Sequence, residues 1–335
     1  MARFSGRGGD GLKVFVPTAA GRREITRLLT GYTWSGSIKR CAREFAFDMA
    51  ASELDADLPR VDCPMGTAVS VEDGAGRAVF EGMVVYRKRT GGGAAISHRC
   101  LDEGRRLSAC QGWYNWHGAP EAAVRQICAD FGFTPGRIAA TGAAVSRKFT
   151  GVACQKIINT LYTKAAETTG RRYVIRVEGK ALSVLEKPVE SDCILAPRQT
   201  IMHSSIAESI EKLVDSVAVY DEYGNKLRVV RDDDAVALYG LMERAVTQRR
   251  GADAAAEAGE LLEDNGPAQT VTVECLGDLD LISGEAVVVR ETSAGAAGLF
   301  WIDSDRHQWK NGQYVAKLDL NFRNLMDETN AGKEK

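Results

Sequence analysis

The sequence predicts a mainly β chain with an α+β insertion between two β regions. Three observations predict it. Short segments with alternating apolar residues, separated by Gly, Asp and Pro turns, fill residues 12–101 and return over 191–326. Between them, residues 102–190 switch to apolar spacings of three and four, the helical period. In the closing stretch, Ala316, Leu318, Leu320 and Phe322 oppose Val315, Lys317, Asp319 and Asn321, as in an antiparallel sheet with one wet face.

Within the first β region, Leu12 to Val16 reads as a short strand ended by Pro17, and Glu24 to Trp34 as a longer one. Phe45, Phe47 and Met49 share one face of the next. Thr67 to Glu72 and Arg77 to Lys88 flank Asp73-Gly74-Ala75-Gly76, a hairpin loop, and Ala95 to Leu101 adds a further strand. Strands of this length and spacing suit a small barrel or sandwich.

In residues 102–190, Pro120 opens a helix whose Val124, Ile127, Cys128 and Phe131 form one stripe, with Gly132 as its C-cap. A second helix carries Cys154, Ile157, Ile158, Leu161, Tyr162 and Ala165 on one stripe and ends at Gly170. Arg172 to Val177 and Ala181 to Leu185 then form a hairpin over Glu178-Gly179-Lys180. In the last region, His203 to Tyr220 reads as extended, and a helix is expected over Ala252 to Glu263. Strands are expected over Thr270 to Cys275, Glu285 to Glu291, Leu299 to Asp305 and Tyr314 to Phe322. Residues 1–11 and 327–335 read as polar, frayed tails.

The bulk numbers narrow the function classes. A length of 335 residues suggests two or three domains. A net charge of -2 gives no overall basic field for nucleic acid or a membrane surface. No apolar run is long enough for a transmembrane helix, and the start has no secretory signal, so no membrane anchor is expected. The eight cysteines are irregularly spaced without a CxxC pair, and several fall in apolar patterns. They read as reduced core residues.

Candidate chemistry is sparse. The histidines are His98, His117, His203 and His307, none with a second ligand at helical metal spacing. His98 and Cys100 can share a strand face, but a zinc site needs two more ligands that the sequence does not nominate. Asp232-Asp233-Asp234 lacks the spacing of a calcium loop and reads as a solvated loop. Glu53, Asp55 and Asp57 alternate in a stretch that reads as a loop. Gly91-Gly92-Gly93 lacks the Lys-Ser/Thr of a phosphate cradle and reads as a hairpin tip. Ser5 to Gly9 is a single RG-like copy. Trp113-Tyr114-Asn115-Trp116-His117 suits either a stacking platform for a sugar or base, or packing where the β region meets the insertion. No catalytic residue, cofactor site or metal site is assigned, and the chain reads as a structural protein rather than an enzyme.

Several segments in order carry a resemblance. They are Trp34-Ser35-Gly36, Arg43 to Phe47, Leu58 to Val61 with Gly66, Val79 to Gly82 and Asp102. Tyr114-Asn115, Pro120-Glu121-Ala122, Cys128 to Gly132 and Tyr239-Gly240 follow. Leu276 to Leu281, then His307 and Gly312 before Leu318-Asp319-Leu320, complete the series. Over residues 12–325 the chain resembles the XkdQ/YqbQ-type baseplate hub proteins of PBSX-like prophages, related to late control protein D and VgrG hubs. The resemblance implies two tube-like antiparallel β-barrel domains, 12–101 and 191–326, flanking the α+β module 102–190. It implies a homotrimer that adapts a sixfold tail tube to a threefold spike in a phage tail or tail-like bacteriocin. Implied partners are the tail tube protein, the central spike or tail-tip protein, and other baseplate proteins, including a LysM-containing protein and the tape measure protein. DNA would be passing cargo only. Implied locations are the bacterial cytoplasm during assembly, then the distal end of the tail tube. The alternative is a peptidoglycan- or carbohydrate-binding tail protein using Trp113 and Trp116. No lysozyme domain or spike helix is read in the chain, so lytic activity is expected elsewhere, and His307 is expected to pack or hydrogen-bond.

Overall fold

The computed structural model describes residues 11–19, 21–52, 55, 57–248, 258–259, 261–262, 265–292 and 295–334. Residues 1–10 of the expected N-terminal tail, with the RG-like Ser5 to Gly9, together with Glu53 and most of the helix over Ala252 to Glu263, lie outside them; residues 258–259 and 261–262 are helical. The fold is mainly β with large antiparallel sheets, as the sequence predicted.

Seven strands form the first region: β1 (Lys13–Thr18), β2 (Gly21–Glu24), β3 (Leu29–Ser37), β4 (Arg40–Ala50), β5 (Ala68–Glu72), β6 (Ala78–Arg89) and β7 (Ala95–Asp102). The insertion holds α1 (Arg105–Ala109), β8 (Gln111–Gly118), α2 (Pro120–Phe131) and β9 (Thr134–Ile138). It continues with β10 (Val145–Ala153), α3 (Cys154–Thr169), β11 (Tyr173–Glu178) and β12 (Ala181–Glu186). After it come β13 (Ile194–Leu195), β14 (Ile201–Ser209), β15 (Ser216–Tyr220), β16 (Lys226–Arg231), α4 (Asp233–Tyr239) and β17 (Glu243–Thr247). The last five strands are β18 (Ala268–Leu276), β19 (Ala286–Glu291), β20 (Ala296–Lys310), β21 (Gln313–Asn321) and β22 (Lys333–Glu334).

Contacts divide the chain into two compact units, residues up to 205 with those from 272 onward, and residues 206–271. The segment expected as one β region, 191–326, therefore contains a separately packed unit. That unit is a small sheet, with β15 between antiparallel β16 and parallel β17. Val214, Val217, Val219 and Ala258 make its core.

In the larger unit both β regions belong to one sheet, ordered β14-β18-β21-β20-β3-β4-β7-β6-β5-β1-β2. The 15-residue strand β20 is the splice. Its first half pairs β19, from Ala286↔Trp301 to Glu291↔Ala296. Its second half pairs β3, from Ser304↔Ser37 to Trp309↔Tyr32. A register shift between Ile302 and Ser304, where an unpaired residue strengthens the local twist, separates the two halves. The core of the first region is completed from the last: Leu279 and Trp309 pack with Val14, Phe45, Phe47 and Phe80.

The insertion has its own core, built on the apolar stripes of α2 and α3, with Cys41 and Met326 joining it. Both helices end on glycine in the left-handed region, Gly132 at φ 69° and Gly170 at φ 70°.

Four expectations change. The strand expected over Glu24 to Trp34 is broken by a 3-10 turn at Thr26–Leu28, because the Thr26 hydroxyl accepts the Val14 N–H at 2.9 Å. The extended stretch expected over His203 to Tyr220 is interrupted between β14 and β15, where the Leu213 N–H donates to the Ile210 carbonyl. Phe322, expected on the apolar face, is half exposed just past the end of β21. The polar tail 327–335 is not frayed over its described residues. Asp327 accepts hydrogen bonds from Asn159 and Gln155, Arg147 donates to Asn330 at 2.7 Å, and β22 pairs β10. Its polar side chains are matched by polar groups buried on α3, which composition alone does not reveal.

Candidate functional site

The sequence candidates scatter. His98 and Cys100 do share the inward face of β7, at 2% and 0% exposure. There His98 stacks on Phe47 at 4.6 Å and its Nδ1–H donates to the Ile96 carbonyl at 3.1 Å. Burial pushes the His98 pKa down and the Cys100 thiol up, so both are held neutral. His117 and His203 are exposed. Among the described residues no three His, Cys, Asp or Glu side chains gather in a way that could hold a metal ion.

Asp232 to Asp234 is not a loop. Asp232 is the N-cap of α4, its carboxylate accepting the N–H groups of Asp234 and Ala235 at 3.1 and 3.0 Å. The acidic run places negative charge where a helix start exposes N–H groups, a capping signal the sequence reading passed over. Gly91 to Gly93 forms the tip between β6 and β7.

The aromatic run lies along β8, and strand alternation splits it. Trp113 points outward, 74% exposed, while Tyr114 and Trp116 pack against the core of the insertion. Trp116 also donates its indole N–H to the Gly118 carbonyl at 3.2 Å. The two tryptophans do not form one platform.

The densest polar network was not anticipated. It sits inside the main sheet, where β4, β3 and β20 run side by side. Arg43 grips Asp305 through both guanidinium Nη atoms. The Asp305 side chain is fully buried and also accepts the Ser283 N–H at 2.6 Å. His307 is fully buried beside it: its Nε2 lies 3.1 Å from the Leu281 carbonyl and 3.3 Å from Asp305. Because that carbonyl can only accept, the Nε2 carries the proton, and Nδ1 accepts from the Tyr314 hydroxyl at 2.9 Å. Burial would raise the Asp305 carboxyl, but the Arg43 charge and the His307 hydrogen bond outweigh it and hold the group well below the usual carboxylate range. The Arg43 guanidinium also lies 3.9 Å over the Trp34 ring.

An Asp–His–Tyr chain can move protons when a substrate reaches it. Here both ring nitrogens of His307 are engaged within the protein and its side chain is sealed from solvent. The network therefore works as a buried clasp between the two β regions. His307 is a hydrogen-bonding residue, as the sequence reading assigned it. Arg43 and Asp305 were missed, although period two gives the signal. Arg43 falls in register with Cys41, Phe45 and Phe47, and Asp305 with His307 and Trp309. Opposite charges at inward positions of two strands call for each other.

Comparison with known proteins agrees with this architecture. A phage-like element PBSX protein, XkdQ of Bacillus subtilis (strain 168), is 23% identical over 215 residues, covering 61% of this chain and 66% of that protein. The aligned part is thus just under two thirds of that relative's length. The 43 kDa tail protein of prophage MuSo2 from Shewanella oneidensis shares the fold, with a TM-score of 0.67 at 12% identity over 92% of this chain and 98% of that one. A tail protein from Neisseria meningitidis MC58 does so with a TM-score of 0.64 at 16% identity, over 92% and 96%. The YQBQ-like family model matches residues 32–321, most of the described sheet and the whole insertion, and the chain belongs to the YQBQ-like family.

Proposed function

We propose that this chain is a structural baseplate protein of a contractile phage tail or tail-like particle. In this reading it is the hub, a homotrimeric ring adapting the sixfold tail tube to the threefold spike. The observation that carries the reading is the splice at β20. Through it one subunit holds two β regions in a single hydrogen-bonded sheet, so three subunits would offer six such regions to a tube. Family membership and the fold shared with phage tail proteins support the coarser assignment. Among the described residues the main sheet ends in β2 and β14, each paired with one neighbouring strand of the sheet, and open edges are what a ring closes against its neighbours.

The proposed partners are further copies of the chain, the tail tube protein, the central spike or tail-tip protein and other baseplate proteins. Its proposed place is the distal end of the tail tube, after assembly in the bacterial cytoplasm. The proposal assigns no catalysis: in the polar cluster closest in form to a catalytic one, both ring nitrogens of His307 are engaged within the protein and its side chain is sealed from solvent.

Electron microscopy of the purified particle tests it. A threefold ring of this chain at the tube end is expected. A chain that stays monomeric by light scattering with tube and spike proteins both present overturns the hub. The exposed indole of Trp113 favours one second reading, a carbohydrate contact on peptidoglycan. Peptidoglycan pull-down with wild type and Trp113→Ala separates it, and absence of wild-type binding ends it.

A further inference from the structure

The ladder between β8 and β10 ends on two cysteines. Its last paired residues are Val152↔Gly112 and Ala153↔Gln111, and one step further Cys154 stands opposite Cys110. The Cys154 N–H donates to the Cys110 carbonyl at 2.9 Å, which fixes that juxtaposition. Beside it the Ser108 hydroxyl donates to the Gln155 side chain at 2.5 Å. The two segments are thus tied on both sides of the cysteines: Cys110 caps the end of α1, and Cys154 is the first residue of α3. Directly opposed residues of antiparallel strands send their side chains to the same face, with Cα atoms about 4.5–5.5 Å apart. A disulfide takes Cα separations of roughly 4.4–6.8 Å.

For this pair the shared face is the inner one. Tyr114 and Trp116 turn toward the core of the insertion, and Cys110 follows the same alternation. Cys110 packs against that core, and Cys154 is fully buried in it. Burial, and then the neighbouring Cys110, push the Cys154 thiol up to about 12, so it stays protonated. Six of the eight cysteines are buried, and only Cys110 and Cys193 are partly exposed. Of these two, Cys110 has a cysteine opposite it, whereas the carbonyl of Cys193 accepts the N–H of Val288. One partly exposed thiol beside one sealed thiol is the arrangement in which an oxidant meets the first and the second resolves it.

We propose that Cys110 and Cys154 are a redox-responsive thiol pair, which a peroxide converts to a disulfide joining the end of α1 to the start of α3. The peroxide oxidises the Cys110 sulfur to a sulfenic acid and is itself reduced, its second oxygen leaving as water. The Cys154 sulfur then attacks the Cys110 sulfur. The S–S bond forms, the S–O bond breaks, and the hydroxyl departs as water with the Cys154 proton. The closed bond encloses residues 111–153, and with them β8, α2, β9 and β10, in one covalent loop. Such a loop restricts the unfolded chain more than the folded one. A reducing compartment keeps the pair open, and an oxidising one closes it. The site is independent of the oligomeric state of the chain.

The test exposes the folded full chain to hydrogen peroxide, alkylates the remaining thiols in urea and maps the peptides without reductant. A Cys110–Cys154 linkage that dithiothreitol reverses is expected. The urea midpoint of the linked chain is expected to lie above that of the reduced chain. Cys154→Ser is expected to retain a sulfenic acid on Cys110, trapped by dimedone, and to lose the rise in midpoint. The wild-type map decides the matter even where that variant folds poorly. The proposal is overturned by a Cys110 that stays alkylatable at a peroxide dose sufficient for the urea-unfolded chain. Linkage of Cys110 to another cysteine, or its passage to sulfinic acid with Cys154 still free, overturns it too. So does a linkage that forms only in urea that unfolds the chain. A midpoint no higher in the linked chain overturns the stapling role.

Discussion

Arg43 on β4 and Asp305 on β20 pair across an intervening strand, and Gly36 of β3 is the gap through which they meet. A Cβ on Gly36 would fall 2.3 Å from Nη1 of Arg43 and 3.2 Å from the Ser283 hydroxyl. The pair joins a strand of the first β region to one of the last, and the absent side chain is part of its geometry.

Breaking this pair from one side should be severe. Removing one partner leaves a buried charge uncompensated, which costs about 3–5 kcal/mol. Arg43→Met is therefore expected to destabilise by that amount, and Arg43→Met with Asp305→Leu by less than the sum of the single changes. Urea unfolding of the four members of the cycle measures the coupling. Simple additivity would mean the pair does not act as a unit.

Gly36→Ala should reproduce part of that loss without touching a charge. The methyl group displaces the guanidinium, and about 2–4 kcal/mol is expected from the weakened pair. A variant as stable as wild type in the same measurement would show that Arg43 reaches Asp305 by another route.

Asp102 gives a pH dependence. Its carboxylate accepts the N–H groups of Arg43 and Gly104 at 3.0 and 2.9 Å. Burial nevertheless outweighs those bonds and pushes it up to about 6. A carboxyl raised in the folded state contributes stability below its unfolded pKa, near 4, and loses it as pH rises through about 6. Stability should therefore fall by up to about 3 kcal/mol in all between pH 4 and 6 on account of this group. Asp102→Asn should flatten that slope, and chemical unfolding at stepped pH reads it directly.

The C-terminal segment should hold the insertion together. Met326 is 7% exposed within its core, and Lys187 donates to the Leu325 carbonyl at 2.6 Å. Met326→Ala is expected to cost about 2–4 kcal/mol. Deleting residues 327–335 should speed amide exchange in α3, where Asn159 loses Asp327 and Thr163 loses the N–H of Thr329. Unchanged exchange in α3 would mean the segment only rests on the surface.

What the sequence shows well is local. The stripes of α2 and α3 follow from apolar spacing closed by Gly132 and Gly170, and β4 from the alternation of Phe45, Phe47 and Met49. What stays hidden is pairing between distant segments. The partner change in β20 after Ile302 leaves only a shift of phase, from buried Phe300 and Ile302 to buried Asp305, His307 and Trp309, and the shift is masked because Asp305 and His307 do not read as core residues. The C-terminal clasp was hidden for a related reason. Asn159, Thr160 and Thr163 are buried polar residues on α3, and their partners lie more than 160 positions away. Asp305 and Arg43 were legible in principle, each a charge in an inward series, but only as a pair.

The chain leaves the large sheet on β14 and comes back on β18, and those two strands are neighbours. Adjacent strands lie about 4.8 Å apart, so a two-residue turn can bridge what residues 210–267 now span. The loop-closure cost rises only with the logarithm of the inserted length, so a whole unit costs little more to tether there than a long loop. The position is thus an exchangeable socket. A lineage can replace or enlarge the domain plugged into it while the sheet that carries it stays as it is.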